Sequence, residues 1–324
     1  MDEIIISILV PMYNAETTIE ECLTKLLKQC GNTTEVVVLN DGSIDGCEKK
    51  AREFEKTNSR IRVYSQKNHG VAYTRQKLID LARGEYIMFC DADDYFEDSA
   101  IDQVYGDIIR YRKENASPDV YIYGYNLVRS FGNKRIEHRR LTSGIYNKKE
   151  YSREHSSSME DLYWSALWNK CYKKEICLNP RIEFETMMED VMFNIDFFSR
   201  CKNVYISSCV IYNYIQIGES LTRGKKRDNT ESIKRAEEAY GKLYKKALNA
   251  YPEEKKIIVE HIYMLYSSLL DRAKKINDAC LYMQIENQCK ELRKELKLRV
   301  LKIQIKRLQI RGKTVLKKNN WTII

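Results

Sequence analysis

The chain has 324 residues, of which 43% are hydrophobic and 31% charged, and its formal net charge is +9. This balance excludes intrinsic disorder and predicts a globular protein with one large or two modest domains. The longest apolar runs, such as Ile4–Ile6 and Ile8–Val10, fall far short of the roughly 18 residues that a membrane-spanning helix requires.

Two further features predict a cytoplasmic protein. The chain begins Met-Asp-Glu and enters an apolar run at once, without the basic region and cleavage site of a signal peptide. Its ten cysteines are scattered, mostly in apolar segments, and no two form a C-x-x-C pair. We therefore expect buried, reduced thiols rather than a zinc site or a disulfide framework.

The first hundred residues alternate between strand and helix patterns. The segments read, in order, "IIISILVP", "TTIEECLTKLLKQC", "EVVVLNDGS", "IDGCEKKAREFEK", "RIRVYSQ", "VAYTRQKLIDLA" and "EYIMFC". Capping-box spacing at Thr17 and Glu20, and again at Asp45 and Glu48, predicts where the first two helices start. Four such units in succession predict an α/β fold with a mostly parallel, doubly wound sheet.

Three aspartates, Asp91, Asp93 and Asp94, follow the fourth predicted strand directly. Ligands of open α/β sheets bind beyond the carboxyl ends of the strands. The loops there begin at Pro11, Asn40, Gln66 and Asp91. Crowded carboxylates repel one another unless a cation is present, and Mg²⁺ or Mn²⁺ often shares its oxygen ligands between carboxylates and a substrate's phosphates. The acids therefore predict a metal site for a diphosphate; the alternative is that Asp94 or Asp98 caps the next helix.

Beyond Ser99 the pattern loosens. A helix "AIDQVYGDIIRYRKE" and a strand "DVYIYGYNLV" precede an aromatic-rich mixed stretch that extends to Tyr214. From Asn229 onward, apolar residues recur at helical spacing. No internal repeat and no low-complexity linker marks a domain boundary.

Five segments resemble, in order and spacing, the successive motifs of the family 2 glycosyltransferases. They read "ILVPMYN", "VLNDGS", "NHGVAYTRQKLIDLARGEYIMFCDADD", "LWNKCYKKE" and "MEDVMF", between about Ile6 and Phe193. The resemblance implies the GT-A fold, a Rossmann-like, mostly parallel central sheet flanked by helices, followed here by a helical C-terminal region. It implies a nucleotide-sugar-binding half at 1–98, an acceptor-binding and catalytic half at 99–225, and a helical region with a basic tail at 226–324.

The resemblance places the nucleotide base at the first loops. Pro11 and Tyr13 would border the base, and Asp41 would accept a hydrogen bond from its ring N–H, which favours uracil or thymine. Asn68 and Gly70 match the N-x-G loop that approaches the nucleotide. The alternatives are a strand-ending proline and an ordinary turn aspartate.

The diphosphate contacts follow from the same resemblance. Arg75 would reach the diphosphate, Asp91 would contact the ribose or the metal shell, and Asp93 would ligate Mn²⁺ or Mg²⁺ directly. The alternative for Arg75 is a solvated helix arginine.

The second half would supply the catalytic base. In inverting transfer an acceptor hydroxyl attacks the anomeric carbon while the nucleoside diphosphate leaves, so a carboxylate must take the hydroxyl proton. The resemblance places this base at Asp190 and gives Glu189 an acceptor-binding or orienting role; the alternative is that either acid caps the following helix. Trp168 would border the sugar and acceptor pocket and Lys170 would meet the phosphates, or they would be a core tryptophan and a structural ion-pair member.

The sequence departs from the family after the predicted helix that carries Glu189 and Asp190. Many relatives place basic residues there, which help hold the diphosphate. This segment instead contains Ile215, Gln216, Ile217, Ser220 and Thr222, followed by Arg223. Ser220 or Arg223 is the candidate substitute.

The C-terminal segment 290–324 holds the whole excess of positive charge, with twelve Lys and Arg against two Glu. Leu296–Lys313 predicts a cationic amphipathic helix, which suits an anionic membrane surface; the alternative is a helix docked on its own protein or on another subunit of a homo-oligomer. No nucleic acid is expected, because Trp321 is the only aromatic residue of this segment and no binding module is recognised.

Together these features predict a metal-dependent inverting glycosyltransferase. It would move a sugar from a UDP-sugar to a hydroxyl of a saccharide or lipid-linked saccharide in bacterial surface-polysaccharide synthesis, in the cytoplasm or peripherally on the inner face of the cell membrane. The alternative is a non-catalytic saccharide-binding or scaffold protein with the GT-A fold. A nucleotidyltransferase would need a basic, glycine-rich first loop, which "PMYNAETT" does not provide.

Overall fold

The computed structural model describes residues 3–129, 135–138, 143–147, 150, 165–179, 181–182, 184, 188–216, 229–276 and 278–296. The chain divides into two compact units, Met1–Thr222 and Arg223–Ile324. The part of the cationic segment 290–324 that follows Leu296 lies outside the described residues, as do Ile217, Ser220, Thr222 and Arg223. The separation of a nucleotide half from an acceptor half at residue 98 stays a prediction.

The first unit is a β-sheet flanked by helices. Its elements are β1 (Ile6–Met12), α1 (Ile19–Gln29), β2 (Thr34–Asp41), α2 (Cys47–Thr57), β3 (Ile61–Gln66), α3 (Val71–Leu81), β4 (Tyr86–Phe89), β5 (Tyr95–Phe96), α4 (Ala100–Lys113), β6 (Val120–Arg129), β7 (Arg135–His138), β8 (Gly144–Asn147), β9 (Lys170–Lys173), α5 (Lys174–Leu178), α6 (Glu189–Arg200) and β10 (Asn203–Gln216). The sheet order is β3-β2-β1-β4-β9-β6-β10-β5, with β7 beside β6 and β8 beside β10.

The first four strands along this order pair in parallel, as the alternation of strands and helices predicts. Residues of β2 and β4 are buried throughout, because helices cover both faces of the sheet there. The strand β9 runs antiparallel to its neighbours β4 and β6 and joins this parallel part to the rest of the sheet. The predicted α/β fold is thus confirmed, and the carboxyl ends of β1 to β4 meet at one edge.

The predicted capping boxes are wrong in detail. The helix α1 begins at Ile19, and the side chain of its N-cap residue, Thr18, makes no capping hydrogen bond. At α2, Asp45 lies before the N-cap residue; its carboxylate accepts hydrogen bonds from the N–H groups of Cys47 and Glu16. Asp45, which the spacing of residues predicted to cap α2, instead links the loop before α2 to the loop before α1.

The second unit is helical, as expected. It contains α7 (Thr230–Ala250), a 3₁₀ turn (Pro252–Glu254), α8 (Lys255–Ala273) and α9 (Ala279–Glu295). Asn229 and Ser232 form a capping box at the start of α7. No helix in the described ranges is long and apolar enough to cross a membrane.

Candidate active site

The loop after β3 is held by a buried carboxylate at the end of β2. Asp41 Oδ1 accepts hydrogen bonds from the His69 N–H at 2.9 Å and from Gln66 Nε2 at 2.8 Å, and Asp41 Oδ2 accepts one from the Gly70 N–H at 2.8 Å. The side chain that is predicted to bind the base therefore also fixes the loop that carries Asn68. It is more than an ordinary turn aspartate.

Two glycines allow these loops to approach closely. Gly42 and Gly70 have φ values of +71° and +87°, a region that other residues rarely adopt. A Cβ atom on Gly42 would lie 2.7 Å from the backbone nitrogen of Asn68. Glycine is thus required at Gly42 both for the backbone conformation and for contact between the loops after β2 and β3.

The loop after β1 presents an aromatic ring to solvent. Tyr13 is 52% exposed, and Pro11 beside it is half-buried. The next residue, Asn14, is bonded to the loop after β2: its N–H donates to Ser43 Oγ at 2.9 Å, and its Oδ1 accepts from the Ile44 N–H at 3.0 Å. The exposed Tyr13 ring therefore stands on a backbone that is fixed by its neighbour, as a stacking surface requires.

The side chain of Arg75 connects the two acidic motifs. It projects from α3, is 6% exposed, and contacts Asp91 Oδ1 at 3.1 Å, Glu189 Oε1 at 3.2 Å and Asp190 Oδ1 at 2.5 Å. Burial alone would lower the pKa of Arg75, but the three carboxylates raise it above its ordinary value, so the guanidinium stays charged. The alternative of a solvated helix arginine is therefore wrong.

The E-D pair lies at the first turn of α6. The preceding residue, Met188, has a φ of +54°, which is uncommon for a residue with a side chain, and no side chain hydrogen-bonds to cap the helix. Both acids lie in the first turn of α6, where negative charge is favourable, and both are also bonded to Arg75. Burial raises the pKa of Asp190 to about 7; Arg75 opposes the rise, Glu189 and Asp91 add to it, and Lys170 opposes it. A carboxylate that titrates near neutrality suits a general base.

The three aspartates after β4 have different environments. The Asp91 carboxylate is partly exposed and one of its oxygens faces Arg75. Asp93 is exposed; partial desolvation and the neighbouring Asp91 raise its pKa. Asp94 is buried and is hydrogen-bonded to Tyr212 and Ile215. The N-cap residue of α4 is Ser99, so neither Asp94 nor Asp98 caps that helix. Asp91 and Asp93 are the two that can face a ligand.

These two carboxylates fit a divalent ion only if other oxygens complete its shell. Within the described part of the chain, no group of three or more His, Cys, Asp or Glu side chains is placed to hold a metal ion. Mg²⁺ in proteins is commonly bound through one or two carboxylates together with substrate phosphates and water. The donor set of Asp91 and Asp93 matches that pattern. Desolvation and, after it, the charge of Asp91 raise the pKa of Asp93, and a bound cation would favour the ionised carboxylate.

Trp168 and Lys170 lie beneath the site rather than on its open surface. The Trp168 ring is 5% exposed and stacks on Tyr212 and Tyr214, with centroid distances of 4.7 and 5.4 Å. Lys170 is fully buried; its Nζ donates to the Ala166 carbonyl at 2.5 Å and to Asn169 Oδ1 at 2.9 Å. The core-tryptophan alternative fits this placement, because the rings of Tyr125, Tyr212 and Tyr214 pack against Trp168. The buried charge of Lys170 lowers the pKa of Asp190.

The structure therefore brings the separate motifs together at one edge of the sheet. Asp41 and the N-x-G loop form one side, and Arg75 with its three acids forms the other. Sequence reasoning missed Tyr212, whose hydroxyl contacts both Asp91 and Asp94. Its only sequence signal was the density of aromatic residues in "IYNYIQ".

The sheet and the acids at its carboxyl edge define an α/β protein of the GT-A type. The sequence model of Glycosyl transferase family 2 matches residues 7–172, slightly more than half of the chain. The chain belongs to this family, which confirms the resemblance of its motifs.

Among curated sequences, the chain is similar to the uncharacterized glycosyltransferase EpsJ of Bacillus subtilis (strain 168). The two are 30% identical over 223 residues, a segment that covers 67% of this chain and 63% of EpsJ. The match thus spans less than two thirds of that relative.

Two solved structures share the fold. One is S. aureus TarS 1–349 in complex with UDP-GlcNAc, with a TM-score of 0.61, 16% identity, and coverage of 89% of this chain and 92% of that one. The other is the mannosyltransferase PcManGT from Pyrobaculum calidifontis in complex with GDP-Man and Mn²⁺, with a TM-score of 0.51, 15% identity, and coverage of 94% and 86%. At such identities the likeness establishes the fold alone.

Proposed function

We propose that this protein is a metal-dependent inverting glycosyltransferase that moves a sugar from a UDP-sugar to a hydroxyl of a saccharide or lipid-linked saccharide. The observation that carries the proposal is the convergence of Asp91 and Asp190 on Arg75. One acid follows β4 and the other begins α6, so the fold brings a donor-side carboxylate and a candidate base to the same guanidinium.

The nucleotide would bind over the loops after β1, β2 and β3. Tyr13 offers an exposed ring for stacking on the base. Asp41 accepts two hydrogen bonds at Oδ1 and one at Oδ2, so Oδ2 has one lone pair left for the ring N–H of uracil, with Asn68 and Gly70 alongside. The structure of TarS with UDP-GlcNAc gives independent support, because a protein of the same fold accommodates a UDP-sugar.

The diphosphate would lie over Arg75, Asp91 and Asp93. Among the described residues no other side chain is bonded to the Asp93 carboxylate, and its own backbone N–H contacts it, so the exposed carboxylate still has an oxygen available as a ligand. When bound there, Mn²⁺ or Mg²⁺ would offset the charge that develops on the departing nucleoside diphosphate. PcManGT, which shares the fold, has been solved with Mn²⁺. Arg75 adds a permanent positive charge at the same place.

Transfer would begin at Asp190. One Asp190 oxygen faces Arg75, which leaves the other to accept the proton of the acceptor hydroxyl. The hydroxyl oxygen would attack the anomeric carbon as the bond from that carbon to the diphosphate oxygen breaks, and the bonding electrons would remain on the diphosphate. Glu189, held by the same arginine, would orient the acceptor. Displacement from the opposite face inverts the anomeric configuration.

The acceptor class and the cellular setting rest on the family and on the basic segment. A lipid-linked acceptor in bacterial surface-polysaccharide synthesis would explain a cationic segment that suits an anionic membrane. The protein would then act in the cytoplasm, peripherally on the inner face of the membrane.

The first experiment is a thermal-stabilisation panel. The purified protein is heated with UDP-, dTDP-, GDP- and CMP-sugars, with and without Mn²⁺, because a ligand that binds the native state raises the unfolding midpoint. We expect a Mn²⁺-dependent rise with a UDP-sugar, lost in Asp93→Asn and kept in Asp98→Asn, a matched exposed aspartate five positions away. No response to any nucleotide would remove the proposed activity, and an unchanged Mn²⁺ dependence in Asp93→Asn would remove the metal assignment.

A further inference from the structure

A buried hydroxyl lies directly behind the aspartates of the candidate metal site. The hydroxyl of Tyr212, on β10, accepts a hydrogen bond from the Asp91 N–H at 3.1 Å and donates one to Asp94 Oδ2 at 3.0 Å. The other oxygen of Asp94 accepts from the Ile215 N–H at 2.7 Å. A continuous chain of hydrogen bonds thus runs from the backbone of Asp91 to β10, about 120 positions further along the sequence.

Packing fixes the position of this hydroxyl. The Tyr212 ring is fully buried and stacks on Trp168 at 4.7 Å, with 9° between the ring planes. It also meets the Phe96 ring edge-on at 5.1 Å. Enclosed rings of this kind cannot swing away, so the hydroxyl offers the Asp91 N–H an acceptor at a constant place.

Asp94 completes the chain from a position where it can serve no ligand. It is 2% exposed, and each of its oxygens is engaged by a hydrogen-bond donor of β10. With both oxygens bonded to β10, the Asp94 carboxyl group ties the turn after β4 to that strand.

We propose that Tyr212 and Asp94 are positioning residues that fix the backbone of Asp91, so that Asp91 and Asp93 point toward one shared position. Asp94, the third of the aspartates after β4, then acts through its bonds to β10 instead of binding the ligand. The effect on metal and donor rests on the proposed function, whereas the ordering of the Asp91 backbone does not.

Tyr212→Phe tests this with a matched control in the same sheet. It removes one hydroxyl and keeps the ring. Tyr123→Phe, on β6, makes the same change at another buried tyrosine, whose hydroxyl donates to the buried Asp107 at 3.0 Å and not to the aspartates after β4. Tyr212→Phe loses two buried hydrogen bonds and Tyr123→Phe loses one, but only Tyr212→Phe removes the acceptor of the Asp91 N–H, so a merely structural effect would not single out the Asp91 amide.

Two measurements are made on the full chain. We expect hydrogen exchange of the Asp91 amide to speed up roughly tenfold in Tyr212→Phe alone, which is the weight of one buried hydrogen bond. We also expect the Mn²⁺ concentration needed for half-maximal stabilisation by the UDP-sugar to rise roughly five- to tenfold in the same variant. Both quantities should stay at the wild-type value in Tyr123→Phe.

Asp94→Asn provides a second variant if Tyr212→Phe does not fold. An asparagine offers a single acceptor oxygen. The Ile215 N–H can only donate and keeps that oxygen, so the amide nitrogen faces the Tyr212 hydroxyl and competes with the Asp91 N–H for it, and the same two shifts should follow.

The possible results separate the two proposals. Unchanged Asp91 exchange in a folded variant, or equal Mn²⁺ shifts in Tyr212→Phe and Tyr123→Phe, would overturn the positioning role. Faster Asp91 exchange in a protein whose wild type binds no nucleotide-sugar would support the ordering of Asp91 by Tyr212 and would refute the proposed function.

Discussion

Arg75 and Asp190, 115 positions apart, are joined by a contact of 2.5 Å between Nη1 and Oδ1. The same guanidinium also holds Asp91 and Glu189. One buried cation therefore offsets part of the negative charge of three acids, and its removal would leave them to repel one another inside a partly closed site.

Arg75→Met should be strongly destabilising. Removing one partner of a buried ion pair leaves uncompensated charge, which typically costs about 3–5 kcal/mol in the free energy of unfolding. Urea denaturation measures the loss. The matched control is Arg235→Met, because Arg235 pairs with Glu231 on an exposed helix face and such pairs contribute about 0–1 kcal/mol. Equal losses in the two variants would show that the acids do not depend on Arg75.

Asp190→Asn should separate chemistry from binding. The amide keeps the size of the side chain but cannot accept the hydroxyl proton, so we expect transfer to slow by roughly a hundredfold or more. The donor-induced rise in unfolding midpoint should persist. Glu189→Gln, at the adjacent position, should raise the KM for the acceptor more than it lowers kcat. If Asp190→Asn turns over at the wild-type rate, the base lies elsewhere.

The pKa of Asp190, near 7, sets the expected pH profile. Only the deprotonated carboxylate can take a proton, so kcat at saturating donor and Mn²⁺ should rise about tenfold per pH unit below 7 and level off above it. The residual activity of Asp190→Asn should lack this rise. A wild-type profile that stays flat between pH 5 and about 8 would exclude a base with this pKa.

Gly42→Ala should damage the donor site through the backbone. A side chain at a φ of +71° costs about 1–2 kcal/mol, and the added Cβ would press on the backbone of Asn68 at 2.7 Å. We expect lower stability and weaker UDP-sugar binding, measured by calorimetry. Gly106→Ala is the control: nothing lies within 4 Å of its Cβ position in α4, and the change should stabilise by about 1 kcal/mol.

Truncation after Leu296 should test the basic segment without cutting into α9. Arg293 of that helix donates to the Tyr263 hydroxyl at 2.8 Å, so an earlier cut would remove contacts of the second unit. We expect the truncated protein to lose binding to vesicles that contain phosphatidylglycerol, and to keep its response to the UDP-sugar. An aggregated or unfolded product would instead favour a docked helix.

The parallel half of the fold could be predicted from the sequence, because its signals are local. The apolar runs of β1, β2 and β4 and the helical spacing between them specify a covered parallel sheet. The antiparallel strand β9 could not be predicted in the same way. Its place between β4 and β6 depends on partners more than forty positions away. The four residues of β9 are too few to specify by themselves which residues they pair with.

The candidate site shows the same division. The acids and the N-x-G loop could be identified from their motifs, whereas their partners could not. Arg75 occupies the buried face of α3 beside Leu78 and Ile79, and a charged residue at such a position predicts a buried counter-ion. The local sequence does not identify which acids provide it. Tyr212 contacts Asp91 only because β10 returns beside β5, a pairing with no trace in either segment alone.

The strand β9 has a mechanical consequence. It is hydrogen-bonded to β4 on one side and to β6 on the other, so a single sheet spans both the strand that leads to Asp91 and the strands that follow residue 99. A hinge between these parts would have to break rows of backbone hydrogen bonds. The sheet is therefore expected to move as one rigid body, so any conformational change that admits a donor or releases a product would take place in the loops along its edge.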